Sequence, residues 1–243
     1  MKIPSLLLAA LLGLATLTSA SAQTILIDFG SAANVTSSPD TNGNYWNNVT
    51  SGTLGTTISN LTTTGSAASG IQLQVTSTFA NTGPSPYVTL TGESSLGALN
   101  IGTAISDFLY GNNNVATPAV ITFSGLDSAK TYNFSLFGAR DATDTRNTTY
   151  VVTGVNSGTQ TLQTSGSNVG GAGVNYNDSN LAVINGITPN GSNEITLAVS
   201  SSGFSYLNAL QITIVPEPAT VALAFGSLGT MLFLRRCFRK NRF

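Results

Sequence analysis

The chain has 243 residues, and only 8% of them are charged, whereas typical soluble domains carry about 25% charged residues. It contains no histidine and a single cysteine, Cys237. These absences exclude a Ser-His-Asp triad, a Cys-His pair, a histidine-ligated metal, an intramolecular disulfide and any zinc site that needs two or more cysteines.

Residues 1–22 have the three parts of a secretory signal peptide. Lys2 provides the positive start, residues 6–15 form a short apolar run, and Ala20-Ser21-Ala22 fits the small-residue cleavage rule. We therefore expect the mature chain to begin at Gln23. The alternative is an uncleaved anchor, although the apolar run is far shorter than the ~20 residues of a membrane span.

Residues 23–214 are predicted to form an all-β domain. Short runs of alternating apolar and polar residues are separated by Gly, Asn, Ser, Thr and Pro, and no long 3.6-residue periodicity is present. This alternation is typical of strands with one buried and one solvated face. The predicted strands are residues 25–29, 71–76, 120–123, 132–136, 150–153, 195–200 and 210–214.

About ten short strands without convincing helices predict a two-sheet β-sandwich of the jelly-roll type. Residues 124–130 are predicted to form a hairpin loop between two strands. A solenoid is the alternative, but the sequence has no fixed repeat of roughly 20–50 residues.

The charges between the two ends of the chain are mostly acidic. Residues 23–214 contain three basic and nine acidic residues, which gives a net charge of −6. A phosphate backbone is bound by clustered Lys and Arg, so we expect no nucleic-acid partner.

The only tryptophan of the chain, Trp46, stands in the segment Tyr45-Trp46-Asn47-Asn48. An exposed indole beside amide side chains would form a platform on which a sugar ring stacks. Tyr45 and Trp46 are therefore candidate ligand-binding residues. The alternative is that Trp46 is a core or sheet-edge aromatic residue.

Residues 140–147 form the densest charge cluster of the domain, in a predicted loop between two strands. Its charged members are Arg140, Asp141, Asp144 and Arg146. Carboxylates accept hydrogen bonds from sugar hydroxyls, and a guanidinium donates them in a planar fork. The cluster is a second candidate site for carbohydrate. The alternative is an Arg–Asp network that pins a long loop.

No cofactor is required by the sequence, but a structural calcium ion is compatible with two sets of acids. Asp141 with Asp144, or Asp28 with loop carbonyls, could supply oxygen ligands. Because no D-x-[DN]-x-[DN]-G loop occurs, the sequence assigns no metal.

Several core and turn segments between residues 118 and 215 form a recognisable set: Ile121–Leu126, Thr131–Phe134, Gly138–Arg140, Tyr150–Gly154 and Tyr206–Ile212. Together they resemble the galactose-binding-like jelly-roll modules of exported bacterial proteins. The resemblance implies a jelly-roll fold and a carbohydrate-binding or accessory role. It transfers no ligand-binding residue, because the matching positions are core and turn positions.

Residues 215–243, at the C-terminus, consist of three successive parts. Pro216-Glu217-Pro218 is followed by the apolar stretch 219–234 and then by basic residues that include Arg235 and Arg236. Sixteen helical residues rise about 24 Å, slightly less than a ~30 Å hydrocarbon core, and snorkelling of Arg235 or thinning of the bilayer closes the difference. By the positive-inside rule, the basic end stays in the cytoplasm and the domain is exported.

This order of three parts resembles the PEP-CTERM sorting signals of exported proteins of Gram-negative bacteria. The resemblance implies that an exosortase, an integral-membrane processing enzyme, recognises Pro216, Glu217 and Pro218 and removes the helix. Arg235 and Arg236 would then set the orientation of the helix. An inner-membrane intermediate would give rise to a protein at the cell surface or in an exopolysaccharide or biofilm matrix. The alternative is a permanent tail anchor.

The sequence therefore favours a non-enzymatic, exported β-sandwich that binds carbohydrate or associates with the matrix. One alternative is a purely structural surface or biofilm protein that assembles through exposed edge strands. A second alternative is a divergent polysaccharide hydrolase that uses two acids.

Overall fold

The computed structural model describes residues 22–83, 94–112 and 116–216. The predicted signal peptide up to residue 21, Glu217, Pro218, the apolar stretch and the terminal arginines lie outside these residues. Pro216, the last described residue, ends a strand. Within the described ranges, no helix is long and apolar enough to cross a membrane.

Strands dominate the described part of the chain, and each of the seven predicted strands is present. This confirms the all-β class. The strands are β1 Gln23–Phe29, β2 Trp46–Val49, β3 Thr57–Ile58, β4 Gln72–Ser77, β5 Asn81–Gly83, β6 Phe108–Gly111, β7 Ala119–Ser124, β8 Lys130–Phe137, β9 Arg146–Thr153, β10 Ser157–Ser165, β11 Ala182–Ile187, β12 Ile195–Ser200, β13 Ser205–Leu207 and β14 Ala209–Pro216. The two short helical segments are a 3₁₀ segment, Ser94–Leu99, and the helix α1, Gly102–Ser106.

Three sheets are formed by these strands. One has five strands in the order β11-β8-β14-β1-β2, and another has six in the order β10-β9-β12-β7-β4-β3. A small sheet has the order β13-β6-β5. β1 pairs with β2 in parallel. The antiparallel pairs are β1 with β14, β8 with β11, β9 with β10 and β12, β7 with β4 and β12, β3 with β4, and β6 with β5 and β13. Residues Ala22–Val215 belong to one compact unit.

The five-stranded and six-stranded sheets pack face to face and so form a β-sandwich. Buried residues of both sheets belong to a single apolar cluster, with Ile27 and Phe134 on one side and Ile121 and Phe123 on the other. The rings of Phe123 and Phe134 lie 5.9 Å apart between the layers. Alternate residues of β7 and β12 point into this core, as the period-two pattern predicts.

Around β1, the outer face of the five-stranded sheet is also buried, so the prediction of a solvated face is wrong for this strand. Leu26 and Asp28 were expected on a solvated face, yet Leu26 is fully buried and Asp28 is 3% exposed. The 3₁₀ segment and α1 contribute Leu99 and Ile105 to a second apolar cluster that packs on Leu26 and Ala209. Because a helical layer covers this face, β1 carries buried residues on both sides.

The predicted hairpin at residues 124–130 is likewise wrong. Its flanking strands, β7 and β8, belong to different sheets, so the segment crosses between the two layers. The segment is therefore a connection between the layers and not a hairpin loop. Gly125 has a φ of +76° at the crossing, and an added Cβ would lie 2.6 Å from the carbonyl oxygen of Gly70.

Candidate functional site

The predicted charge cluster is divided between a loop and a strand. Arg140, Asp141 and Asp144 lie in the loop 138–145, whereas Arg146 is the first residue of β9. Asp141 and Asp144 are exposed, and Arg140 and Arg146 are half-buried. The prediction that all of these residues lie in a loop is therefore wrong for Arg146, whose position is fixed by the sheet.

The backbone of the loop 138–145 is tied to the sandwich at several points. The amide of Arg140 donates to the carbonyl of Thr164 at 3.1 Å, and the hydroxyl of Ser165 donates to the carbonyl of Asp144 at 2.9 Å. The buried side chain of Asn208 accepts a hydrogen bond from the amide of Ala139 at 2.9 Å. These contacts hold the charged side chains on a rigid frame.

Asp144 and Arg146 form a two-point ion pair. Nε of Arg146 donates to Oδ2 of Asp144 at 2.5 Å, and Nη2 donates to Oδ1 at 3.1 Å. Hydrogen bonding to Arg146 holds the pKa of the Asp144 carboxyl below its ordinary value. The Asp144 side chain is 60% exposed and that of Arg146 is 21% exposed, so the carboxylate remains open to solvent.

The same guanidinium is held by two aromatic residues. Its carbon Cζ lies 5.0 Å from the ring centroid of Phe204 and 5.8 Å from that of Tyr206. Nη1 of Arg146 also donates to the hydroxyl oxygen of Tyr206. A guanidinium in this position combines cation–π attraction with directed hydrogen bonds.

The small sheet provides the aromatic support. Tyr206 on β13 packs edge-on against Phe108 on β6 at 5.0 Å, and Tyr110 on β6 lies 6.3 Å from Phe204. Arg140 lies over the ring of Phe108 at 5.8 Å. Phe108 and Tyr206 are buried, whereas Phe204 is 39% exposed, so one aromatic ring of the group reaches the surface.

These residues border a shallow pocket, here called the Arg146 pocket. Its volume is about 160 Å³, and it is lined by residues 144–147 and 201–204. The lining offers an exposed ring from Phe204, a carboxylate from Asp144, a guanidinium from Arg146 and an amide from Asn147. Its two ionised groups have opposite charge. The pocket therefore joins an apolar surface to hydrogen-bonding groups without a net charge.

The other predicted residues lie elsewhere. Arg140 packs on Phe108 and does not line the Arg146 pocket. Asp141 is exposed in the same loop and also does not line the pocket. Tyr45 is half-buried and directly precedes β2.

Trp46 is a core residue, so the expected exposed stacking platform is not present at this position. Its side chain is 4% exposed and packs with Leu26 and Leu99 in the second apolar cluster. The indole Nε1 donates to Oδ2 of Asp40 at 2.8 Å. Burial opposes ionisation of Asp40, but hydrogen bonds from Trp46 and neighbouring amides hold its pKa below the ordinary value. The alternative interpretation, in which Trp46 is a core aromatic residue, is therefore correct.

Of the two acids in the predicted calcium set, Asp144 accepts hydrogen bonds from Arg146 at both carboxylate oxygens, and Asp141 is exposed in the same loop. In the described part of the chain, no group of three or more His, Cys, Asp or Glu residues could hold a metal ion.

Phe204 and Tyr206 were not predicted as site residues. In the sequence they appear as aromatic residues within Ser202-Gly203-Phe204-Ser205-Tyr206. An aromatic residue directly after a serine- and glycine-rich break was the available signal. Their closeness to Arg146, which is some 60 positions earlier in the chain, depends on the pairing of β12 with β9.

No protein-family profile matches the sequence, and no curated protein matches it. Among solved structures, the chain is similar to the CBM35 from Cellvibrio japonicus Abf62, with 18% identity, a TM-score of 0.32, and coverage of 58% of this chain and 91% of that chain. It is also similar to the CBM22-1–GH10 modules of Clostridium thermocellum endo-1,4-β-D-xylanase 10B, complexed with xylohexaose. The identity there is 13%, the TM-score is 0.30, and the coverage is 55% of this chain and 24% of that chain. At such TM-scores we infer neither fold nor function from these likenesses.

Proposed function

We propose that the domain is a carbohydrate-binding module and that the Arg146 pocket binds the sugar. The observation that carries this proposal is the position of the exposed Phe204 ring directly beside the Asp144–Arg146 pair. Carbohydrate sites combine an aromatic face for the C–H groups of a sugar with polar groups for its hydroxyls.

Each part of the pocket has a role in this proposal. The ring of Phe204 packs against the apolar face of one sugar. Asp144 is exposed and ionised, so it accepts hydrogen bonds from sugar hydroxyls. The hydrogen bonds to Asp144 and Tyr206 use three of the five N–H groups of Arg146, and the remaining two donate to the ligand.

The size and charge of the pocket define the ligand class. A volume of about 160 Å³ is small beside the roughly 300–1,000 Å³ of typical small-molecule pockets, so the pocket accommodates a single sugar unit of a longer chain. One carboxylate and one guanidinium cancel in charge. We therefore assign a neutral polysaccharide as the ligand, in preference to an acidic one.

The cellular setting of the proposal rests on the sequence. The signal peptide directs export, and the PEP-CTERM-like tail with Pro216, Glu217, Pro218, Arg235 and Arg236 directs membrane insertion and removal by an exosortase. The mature module then acts at the cell surface or in the extracellular matrix, without catalytic activity. The jelly-roll type of the sandwich also belongs to this proposal.

The test is affinity electrophoresis of the purified full chain in gels that contain neutral or acidic polysaccharides. The wild type should be retarded by a neutral polysaccharide, and Phe204→Ala should restore free migration. Leu54→Ala is the control, since Leu54 is 70% exposed and does not line the pocket.

Two outcomes would contradict the proposal. One is unchanged migration of the wild type with every polysaccharide, which, together with concentration-dependent assembly, would support a structural surface protein. The other is equal loss of retardation in Phe204→Ala and Leu54→Ala, which would place binding outside the Arg146 pocket.

A further inference from the structure

β10 lies at one end of the six-stranded sheet, and its outer edge is open along the middle of the strand. The strand has nine residues, and β9 is its one sheet neighbour among the described strands. Within the described ranges, the backbone of residues 159–163 makes no hydrogen bond beyond the pairing with β9. Thr159, Gln160, Thr161 and Gln163 are exposed. Such an edge presents a row of unpaired N–H and C=O groups.

The open stretch ends at Thr164, where two loops meet the strand. The carbonyl of Thr164 accepts hydrogen bonds from the amide of Arg140 at 3.1 Å and from that of Asn177 at 3.2 Å. These loops occupy the outer edge at that point. A further strand can therefore pair with β10 only before Thr164.

Two other strand edges are short or are capped by a side chain. At the end of β11, the side chain of Asn156 donates to the carbonyl of Gly186 at 2.8 Å and accepts from the amide of Thr188 at 2.9 Å. β3, at the far end of the six-stranded sheet, has two residues. Short edges and capped edges offer little backbone to another strand. Residues 159–163 have neither form of protection in the described part of the chain.

The sequence of β10 also lacks the residues that usually prevent edge pairing. Ser157–Ser165 contains no charged residue and no proline, although Lys and Pro are common on natural edge strands. Its threonines can form hydrogen bonds across a strand pair. Thr161 already makes this contact with Thr149 of β9, and the two hydroxyl oxygens lie 3.0 Å apart.

The partner that fits this edge is a second copy of the same strand. Two identical strands related by a two-fold axis run antiparallel, so each strand offers the donors and acceptors that the other needs. A two-fold axis at Thr161 places this residue opposite its own copy and Thr159 opposite Gln163. The domain is mostly acidic, but the uncharged strand keeps like charges out of the contact.

We propose that residues 159–163 pair with the same residues of a second copy and so join two six-stranded sheets into one continuous sheet. Main-chain hydrogen bonds provide the attraction, as in other cases of β-strand addition. So short a contact favours a weak, concentration-dependent dimer over a permanent one. None of these residues lines the Arg146 pocket, and the proposal does not depend on carbohydrate binding.

The experiment is sedimentation equilibrium of the purified full chain in detergent solution, combined with hydrogen exchange at low and high protein concentration. The wild type should form a dimer as its concentration rises, and the amides of residues 159–163 should then exchange more slowly. Thr161→Lys should raise the dissociation constant of the dimer about tenfold or more, because two like charges meet across the contact.

Thr153→Lys is the matched control, since Thr153 is exposed at the end of β9 and does not belong to the open edge. Both variants reduce the net negative charge of the domain equally. General repulsion between acidic copies would therefore weaken equally in both. The proposal predicts a loss of dimer in Thr161→Lys alone.

Three results would overturn the proposal. The first is a wild type that stays monomeric at every concentration. The second is an equal dissociation constant in Thr161→Lys and the wild type, without slower exchange in residues 159–163, which would place the contact on another surface. The third is an equal change in Thr153→Lys. If thermal unfolding shows that Thr161→Lys is not folded, Gln160→Lys at the next exposed position provides the same test.

Discussion

The guanidinium of Arg146 lies 5.0 Å from the ring centroid of Phe204 and binds both carboxylate oxygens of Asp144. Arg146 is therefore held from two sides, by β9 through its backbone and by the loops 138–145 and 201–204 through its side chain. A preorganised guanidinium loses little conformational freedom when a ligand binds, which favours affinity.

Replacement of Arg146 by lysine tests whether binding depends on the planar guanidinium or on its positive charge alone. Arg146→Lys keeps the charge but cannot make the two-point contact with Asp144 while also reaching Tyr206. We expect affinity for a neutral polysaccharide to fall about tenfold, which corresponds to about 1.4 kcal/mol. The affinity is measured by calorimetric titration of the full chain.

Lys130→Arg is the matched control, since Lys130 pairs with Asp127 and does not line the Arg146 pocket. Wild-type affinity in Arg146→Lys would show that the charge alone matters, and would contradict a role for the fork.

The single tryptophan reports on the Asp40 carboxyl. The pKa of Asp40 in the folded chain is below its ordinary value of 3.8. The stabilising contribution of ionised Asp40 is therefore fully present above the unfolded pKa and is lost as the pH falls through the lower, folded pKa. Trp46 emission should stay constant from neutral pH down to about pH 4 and change only below it.

Asp40→Ala leaves the buried indole Nε1 without an acceptor and should lower the free energy of unfolding by about 1–3 kcal/mol. Asp141→Ala, in an exposed loop, should change it little. An emission transition near pH 6 in the wild type would show that the Asp40–Trp46 hydrogen bond does not hold the carboxyl ionised.

The crossing between the two sheets depends on Gly125. Gly125→Ala adds a Cβ at a φ of +76° and 2.6 Å from the carbonyl oxygen of Gly70. We expect the free energy of unfolding to fall by about 1–3 kcal/mol in thermal unfolding of the full chain. Gly191→Ala is the control, because nothing lies within 4 Å of its added Cβ. Equal stability of the two variants would show that the crossing tolerates a side chain.

The sorting proposal predicts the mass of the mature protein. Intact mass spectrometry of protein from its natural host should show loss of residues 1–22 and a C-terminus near Pro216–Pro218. Glu217→Gln should prevent the C-terminal cleavage, whereas Glu194→Gln in the domain should not. A mature wild-type chain that still ends at Phe243 would leave a permanent tail anchor as the explanation.

Period-two patterns predicted the strands well because burial of alternate residues is a local signal. The pattern in β7 and β12 is regular, and both strands lie where they were expected. The covering of β1 by α1 could not be predicted, since the helix has only five residues and lies more than 70 positions away in the sequence.

The candidate site was predicted in part. Charge density in a chain with few charges indicated Asp144 and Arg146, which do line the Arg146 pocket. Trp46 was predicted as a site residue mainly because it is the only tryptophan of the chain. Its indole instead forms a buried hydrogen bond, which the composition does not reveal. Phe204 reaches the pocket only because β12 pairs with β9, and this long-range pairing is not encoded in a local pattern.

The central claim concerns where the sugar lies, and a crystal structure of the full chain with an oligosaccharide of the neutral polysaccharide that binds it tests this directly. The account predicts a sugar ring packed on Phe204, with one of its hydroxyls within hydrogen-bonding distance of an Asp144 oxygen. A sugar bound only at another surface, with the Asp144–Arg146 pair facing solvent, would contradict it.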